Sequence, residues 1–181
     1  IFFCRGGLEA VAALGAAGWR PQLIHANDWQ TGLVPVYLQT EYRDHPRLGS
    51  LATLFTIHNV AYQGVFWHYD MPMTGLGWDL FTPAGIEFYG RLNFLKGGLV
   101  FSDLLTTVSR TYAQEIRTPA FGNGLEGVLE ERSHELHGVI NGIDYAILRR
   151  ANVINMSLNF PPGTPSSPLL EQALAAAYST G

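Results

Sequence analysis

The apolar segment "LATLFTI" ends on His58 and Asn59, and Tyr62 and Gln63 follow after two more residues. Histidine and the amide side chains supply hydrogen-bond donors and acceptors, and tyrosine adds a flat apolar ring with a polar tip. A sugar fits such a set, because its hydroxyls pair with the polar groups while its C–H faces pack on aromatic rings. These residue types therefore favour a carbohydrate site at this point of the chain.

Three further apolar segments are followed by polar side chains. "QLIHA" leads into Asn27, Asp28 and Trp29, "LLTTV" into Ser109, and "HGVI" into Asn141. The carboxyl ends of parallel strands meet at one edge of a sheet, where ligands usually bind. We therefore expect these side chains to line one cleft together with His58.

Structural roles remain open for the same residues. Asp28 would also serve as the N-cap of a helix, and the rings of His25 and His58 would also bond to neighbouring backbone groups. The clustering of polar residues behind four apolar segments favours the ligand-binding interpretation.

Strands and helices are predicted to alternate along the first part of the chain. We predict strands at "QLIHA", "LATLFTIH", "LLTTV" and "HGVI". We predict helices from the start to Gly15, from Asp28 to Leu38, over "IEFYGRLNFLKGGLVFSD" with a break near Gly90, over "SRTYAQEI" with a capping box from Thr111 to Gln114, and over "LEGVLEERSHEL". The strands are continuous apolar runs, which is typical of a parallel sheet covered on both faces. The predicted fold class is therefore α/β, a Rossmann-like parallel sheet with helices on both faces.

The texture of the sequence changes after Tyr145. "NFPPGTPSSP" contains four prolines and is typical of a linker, and "LLEQALAAAY" has the composition of a short helix. We therefore predict one domain over residues 1–145 and a divergent, linker-like tail over residues 146–181.

The composition argues against nucleic-acid and membrane partners. The chain has a formal charge of -4, only 14% charged residues and no basic cluster, which is unlike a nucleic-acid-binding protein. No run of eighteen apolar residues is present, so we expect no transmembrane helix.

Short motifs that suggest cofactor or metal sites lack the context that such sites need. "GNGLEG" fits a dinucleotide fingerprint, but no buried strand precedes it, so we expect a turn that enters a helix. "RGGL" and "KGGL" lie inside helical patterns and are not predicted to be phosphate loops. "HELH" would place His134 and His137 on one helix face without a third ligand, and we predict no metal site.

Five longer motifs closely resemble the bacterial-type glycogen and starch synthases. They are "HANDWQTGLVPVYL", "TIHNVAYQGVF", "FYGRLNFLKGGLVFSDLLTTVS", "GNGLEGVL" and "NGIDY", in the same order as in that family. The resemblance runs from about Phe2 to Tyr145. It implies the GT-B arrangement, in which two Rossmann-like domains face each other across a cleft. It also implies transfer of glucose from ADP-glucose to the non-reducing end of an α-1,4-glucan, with retention of configuration and without a metal or other cofactor.

The resemblance also implies roles for individual residues. His58 matches the cleft histidine near the transferred glucose and is the expected catalytic residue. The expected substrate-binding residues are Asp28, Trp29, Asn59, Tyr62, Gln63 and Asn141. The expected partners are an α-1,4-glucan such as glycogen and ADP-glucose, and the expected location is the bacterial cytoplasm, with the plastid as the alternative.

Three departures from the family pattern limit this expectation. The family begins with a strand and a K-x-G-G-L loop that touches the donor phosphates, and this chain starts downstream of both. The second family domain, which holds most of the ADP-glucose site, has no counterpart here, and Leu148 stands where the family usually has tryptophan. We therefore expect part of an N-terminal, acceptor-side domain that is inactive alone.

Two other functions stay open. A non-catalytic glucan-binding module would use Asp28, Trp29 and Tyr62 as a sugar platform and would make no use of His58. Another retaining GT-B glycosyltransferase would use a UDP-sugar instead of ADP-glucose.

Overall fold

A computed structural model describes residues 1–139 and the backbone of residues 153–156. Strands and helices alternate along this part of the chain. The helices are α1 (Phe2–Ala16), α2 (Leu33–Gln39), α3 (Met71–Thr74), α4 (Phe94–Phe101), α5 (Arg110–Glu115) and α6 (Glu126–Glu131). The strands are β1 (Leu23–Asn27), β2 (Ala52–Ile57), β3 (Val65–Trp67), β4 (Glu87–Phe88), β5 (Arg91–Asn93), β6 (Leu104–Thr107), β7 (Leu136–Gly138) and β8 (Val153–Met156). Short 3-10 turns span Trp29–Thr31, His68–Asp70 and Trp78–Leu80.

The main sheet is parallel and has the strand order β7-β6-β2-β1-β8. Its four predicted strands are confirmed as β1, β2, β6 and β7, and so is the α/β fold class. β8 was not predicted, and it gives β1 a parallel neighbour on each side. The predicted linker and short helix after residue 156, and Asn141, lie outside the described residues.

Helix α4 packs closely on the sheet because Gly98 has no side chain. A Cβ added to Gly98 would lie 2.2 Å from the ring of Phe55 on β2. Lys96, two residues earlier, is buried and donates from Nζ to the backbone oxygens of Pro83 and Glu87 at 2.6 and 2.5 Å. The "KGGL" motif therefore lies in a helix and packs it against its neighbours. "RGGL" likewise lies within α1, so both motifs are helical, as predicted.

The prediction of one helix over "IEFYGRLNFLKGGLVFSD" is wrong for the first half of this segment. Strands β4 and β5 form a hairpin there, and β3 pairs with β5 in the same small antiparallel sheet. The hairpin turn is Tyr89-Gly90, with φ of 49° and 75°, the positive values that a tight two-residue turn requires. The predicted break near Gly90 is this turn. Helix α4 begins only at Phe94, where Asn93 Oδ1 accepts a hydrogen bond from Lys96 N at 2.9 Å.

Three smaller sequence predictions are also corrected. The N-cap of α5 is Ser109, whose Oγ accepts a hydrogen bond from Tyr112 N at 3.0 Å, so the predicted capping box at Thr111 is wrong. His134 and His137 do not share a helix face, because α6 ends at Glu131 and His137 lies in β7. The turn into a helix predicted at "GNGLEG" is confirmed, since α6 begins at Glu126, within the motif.

Within the described part of the chain, no helix is long and apolar enough to cross a membrane.

Candidate functional site

The carboxyl ends of β1 and β2 bring Asp28 and His58 together. The strands are neighbours in register, with Asn27 opposite Thr56. Asp28 Oδ1 accepts a hydrogen bond from the backbone N–H of His58 at 2.8 Å, and Asp28 N donates to Thr56 O at 3.0 Å. One aspartate therefore joins the two strand ends, and the predicted meeting of these residues at one sheet edge is confirmed.

Asp28 has an unusual backbone conformation. Its φ is 54° and its ψ is 178°, a region that residues other than glycine rarely occupy. It precedes the 3-10 turn at Trp29, but its side chain makes no capping hydrogen bond to that turn. The N-cap interpretation of its carboxylate is therefore wrong. Strained residues of this kind occur mainly at ligand-binding and active sites, so the conformation favours a functional role.

His58 is half-buried, and its ring is held by Asn27, which the sequence places at the cleft rim without a specific role. Its Nε2 lies 3.0 Å from Oδ1 of Asn27, the last residue of β1, which is only 3% exposed. The contact to His58 is what the sequence alone does not indicate, since the two residues are 31 positions apart.

His25 is a structural histidine. Its Nε2 lies 2.6 Å from Thr56 Oγ1, which in turn lies 2.6 Å from Thr106 Oγ1, so the contact chain crosses β1, β2 and β6. Burial, and to a smaller extent the imidazole of His58, lower the pKa of His25 below its ordinary 6.5. The ring is thus satisfied by protein groups, in agreement with the structural interpretation of this residue.

An aromatic groove lies next to the Asp28–His58 pair. It is open, has a volume of about 480 Å³, and is lined by Trp29, Ala61, Tyr62, Gln63, Gly64, Val65 and Phe66. Trp29 packs on Phe66 with ring centroids 5.9 Å apart, and Tyr62 is 67% exposed. Trp29, the residue that follows Asp28, is part of the groove wall, so flat apolar surfaces lie beside the aspartate, as in a sugar-binding cleft.

The loop that carries Tyr62 is fastened by Gln63. This side chain is only 8% exposed; its Nε2 donates to Asn123 O at 3.0 Å, and its Oε1 accepts from Asn93 Nδ2 at 2.7 Å. The backbone of the loop rests on the first turn of α4, where Leu95 N donates to Gln63 O at 3.0 Å. Gln63 therefore holds the loop in place with both ends of its amide.

The remaining predicted residues are spread around this loop. Asn59 is exposed, and its Oδ1 accepts a hydrogen bond from Ala61 N at 3.0 Å. Val60 N donates to the hydroxyl of Tyr112 at 3.0 Å, which ties the loop to α5. Among the described residues, no group of three or more His, Cys, Asp or Glu side chains could hold a metal ion.

Comparisons with known proteins agree with this geometry. The starch synthase catalytic domain family matches residues 1–131. The glycogen synthase of Desulforudis audaxviator is 51% identical over 144 residues, which are 80% of this chain and 28% of the relative. The glycogen synthase of Thermotoga maritima is 49% identical over 160 residues, 88% of this chain and 32% of the relative.

A solved structure is also similar. The catalytic domain of starch synthase IV from Arabidopsis thaliana, bound to ADP and acarbose, matches with a TM-score of 0.69 and 36% identity. The match covers 78% of this chain and 29% of that chain. The aligned part of this chain thus spans less than a third of the length of each of these three relatives. The comparisons confirm the family resemblance and the α/β fold.

Proposed function

Because the chain belongs to the starch synthase catalytic domain family, we propose that it forms the acceptor side of a glycogen or starch synthase active site. The reaction is the transfer of glucose from ADP-glucose to the non-reducing end of an α-1,4-glucan, with retention of configuration. The single observation that supports the proposal most strongly is the Asp28–His58 pair at two neighbouring strand ends, beside the groove of Trp29 and Tyr62.

We assign the sugar-binding surface to the groove. The exposed ring of Tyr62 and the half-buried ring of Trp29 offer faces on which glucose units of the glucan can pack. Asn59, and Asn141 outside the described residues, supply amide groups for sugar hydroxyls. Gln63 acts through the loop, because both ends of its amide are bonded to protein groups.

We assign His58 to the chemical step. A hydrogen-bonding group that is fixed before the reaction stabilises developing charge at little reorganisation cost, which is usually the largest catalytic effect. His58 is fixed twice, through its backbone N–H by Asp28 and through Nε2 by Asn27. We assign it to positioning and polarising the glucose while the bond to phosphate breaks.

We expect the donor nucleotide to be held mainly by parts of the enzyme that this chain does not contain. The similar Arabidopsis structure is described as bound to ADP, which supports an ADP-linked donor. We propose that the reaction needs no metal or other cofactor, and that the protein acts in the bacterial cytoplasm, since the relatives named above include bacterial glycogen synthases.

A binding module remains the second candidate, because the groove needs only Trp29 and Tyr62 to hold a glucan. A chimera separates the two functions: residues 1–139 replace the matching part of the Thermotoga maritima glycogen synthase. In this chimera we expect His58→Ala to lower kcat by about 10²- to 10³-fold, as the loss of a placed catalytic hydrogen bond does. Glucan binding should be unchanged.

The matched control for this experiment is His134→Ala, which removes an exposed histidine far along the chain. Its kcat should equal that of the parent chimera. A His58→Ala chimera that elongates glucan at the parent rate would exclude the enzymatic role of His58 and favour the binding module.

A further inference from the structure

Asn27 connects the two histidines of the candidate site. It is the last residue of β1 and is 3% exposed. Its Oδ1 lies 3.0 Å from His58 Nε2, and its Nδ2 lies 3.5 Å from the backbone oxygen of His25. The amide is therefore buried with a different partner at each end.

These two contacts fix which way the amide points. The oxygen of His25 can only accept a hydrogen bond, so the donor end of the Asn27 amide faces it. The Oδ1 end is then left to face His58, and a carbonyl oxygen can only accept. Nε2 of His58 must therefore carry the hydrogen.

The backbone around Asn27 holds this arrangement. Thr31 Oγ1 accepts a hydrogen bond from Asn27 N and donates one to Asn27 O, both at 2.6 Å. His58 is held independently, since its backbone N–H donates to Asp28 Oδ1. The amide and the imidazole thus approach each other from two fixed strand ends. The titratable groups placed beside His58 by these contacts are Asp28 and His25.

We propose that Asn27 is a positioning residue that keeps His58 in the tautomer with hydrogen on Nε2, so that Nδ1 is left to accept a hydrogen bond from a sugar hydroxyl. In a neutral histidine, the hydrogen bond that one ring nitrogen makes sets which of the two nitrogens carries the hydrogen. Within residues 1–139, no protein group bonds to Nδ1. The assignment of Nδ1 to a sugar rests on the proposed function, whereas the assignment of the tautomer does not.

The consequence for the reaction is specific. A neutral His58 with hydrogen on Nε2 accepts at Nδ1 and cannot donate a proton there. In this neutral form it orients the glucose through one of its hydroxyls, and it cannot protonate the departing phosphate from Nδ1.

The tautomer can be measured on the 181-residue chain itself, without any enzymatic activity. Nitrogen-15 NMR of the histidine rings, at a pH at which the imidazoles are neutral, distinguishes protonated from unprotonated nitrogens. A ring N–H that is not hydrogen-bonded exchanges rapidly with water and gives no proton signal. The His58 signals are identified by their loss in His58→Gln.

We expect the unmodified chain to show a His58 Nε2–H signal and an unprotonated Nδ1. Asn27→Asp keeps an oxygen that can only accept, so the Nε2–H signal should remain. Asn27→Leu removes the acceptor, so the signal should be lost. Thr31→Ala is the matched control: it weakens the same turn but leaves the Asn27 side chain, so it should lower the melting temperature and keep the signal.

The proposal is overturned if the hydrogen is on Nδ1 in the unmodified chain, or if the Nε2–H signal persists unchanged in Asn27→Leu. The first outcome needs no variant to fold. The failure of the proposed function is a separate result, because a His58→Ala chimera of full activity would leave the tautomer measurement as it stands.

Discussion

At the scale of single residues, Asp28 joins the candidate site at an energetic cost. A non-glycine residue with positive φ costs about 1–3 kcal/mol and persists only when its surroundings hold it. Here the bonds from Asp28 N to Thr56 O and from Thr31 N to Asp28 O hold the backbone. The carboxylate is thereby directed to His58 N–H, and the chain turns so that Trp29 enters the groove.

His25 makes the stability of the fold depend on pH. Its pKa in the folded chain lies below the value of 6.5 that it has when unfolded, because the ring is buried and lies near His58. As the pH falls below about 6.5, the unfolded state therefore binds more protons than the folded state does. The stability that is present above pH 6.5 is lost as the pH falls from there toward the pKa of the folded chain. We predict that the free energy of unfolding in urea decreases between about pH 7.5 and about pH 5.5, above the range in which ordinary carboxylates titrate.

The substitution that tests this origin is His25→Asn, which removes the titrating ring. It should make the free energy of unfolding less dependent on pH in this window. His137→Asn, at an exposed position in β7, is the control and should leave the dependence as in the parent. An equal pH dependence in the parent and in His25→Asn would contradict the assignment to His25.

The sequence predicted which residues reach the site better than it predicted what holds them. Asp28 and His58 follow apolar strands, and the geometry of parallel sheets is enough to bring such residues to one edge. The roles of Asn27 and Gln63 depend on which groups lie opposite them after folding. Asn123 and Asn93, the partners of Gln63, are 60 and 30 residues away in the sequence, so no local pattern contains this contact.

At the scale of elements, the site depends on a loop that rests on the start of α4. Phe94 N and Leu95 N have no partner inside their own helix, and they donate to the backbone oxygens of Gly64 and Gln63. The hairpin of β4 and β5 sets where α4 begins. The sequence indicates its turn at Tyr89-Gly90 only as a break in a helix. The residues on either side suit a helix locally, and pairing with β3 overrides that preference.

Gly64, in this loop, has neither the space nor the backbone conformation for a side chain. Its φ is 61°, and an added Cβ would lie 2.3 Å from the Trp29 ring. We predict that Gly64→Ala displaces Trp29, weakens maltoheptaose binding, and lowers the free energy of unfolding more than backbone strain alone would. The additional loss should be about 1–3 kcal/mol, the usual cost of overpacking.

Gly90 provides the matched control for this prediction. Its φ is 75°, but an added Cβ would meet nothing within 4 Å. Gly90→Ala therefore measures the cost of positive φ without a clash, and urea unfolding of both variants gives the difference. Equal losses for the two variants, with Trp fluorescence unchanged in Gly64→Ala, would show that the approach of Trp29 to Gly64 has no energetic importance.

At the scale of the whole molecule, the chain combines a parallel sheet with one polar edge and an aromatic groove beside it. The parallel sheet and its polar strand ends follow from sequence pattern, because buried parallel strands are continuous apolar runs. β8 is different: it pairs with β1, but it lies in a stretch that carries no family motif, so only the assembled sheet reveals it. The chain matches less than a third of the length of the relatives named above, and we expect transfer to need the groups that they possess in addition.

The most direct test of this account measures maltoheptaose binding and glucosyl transfer on the purified 181-residue chain. Binding is followed by Trp fluorescence, and transfer by incorporation of label from ADP-glucose into glycogen. The account predicts a saturable fluorescence change that is lost in Trp29→Phe and kept in Trp78→Phe, without incorporation of label. A folded chain whose fluorescence does not respond to maltoheptaose, or responds equally after Trp29→Phe, would contradict the glucan groove, and incorporation of label would contradict the division of the active site.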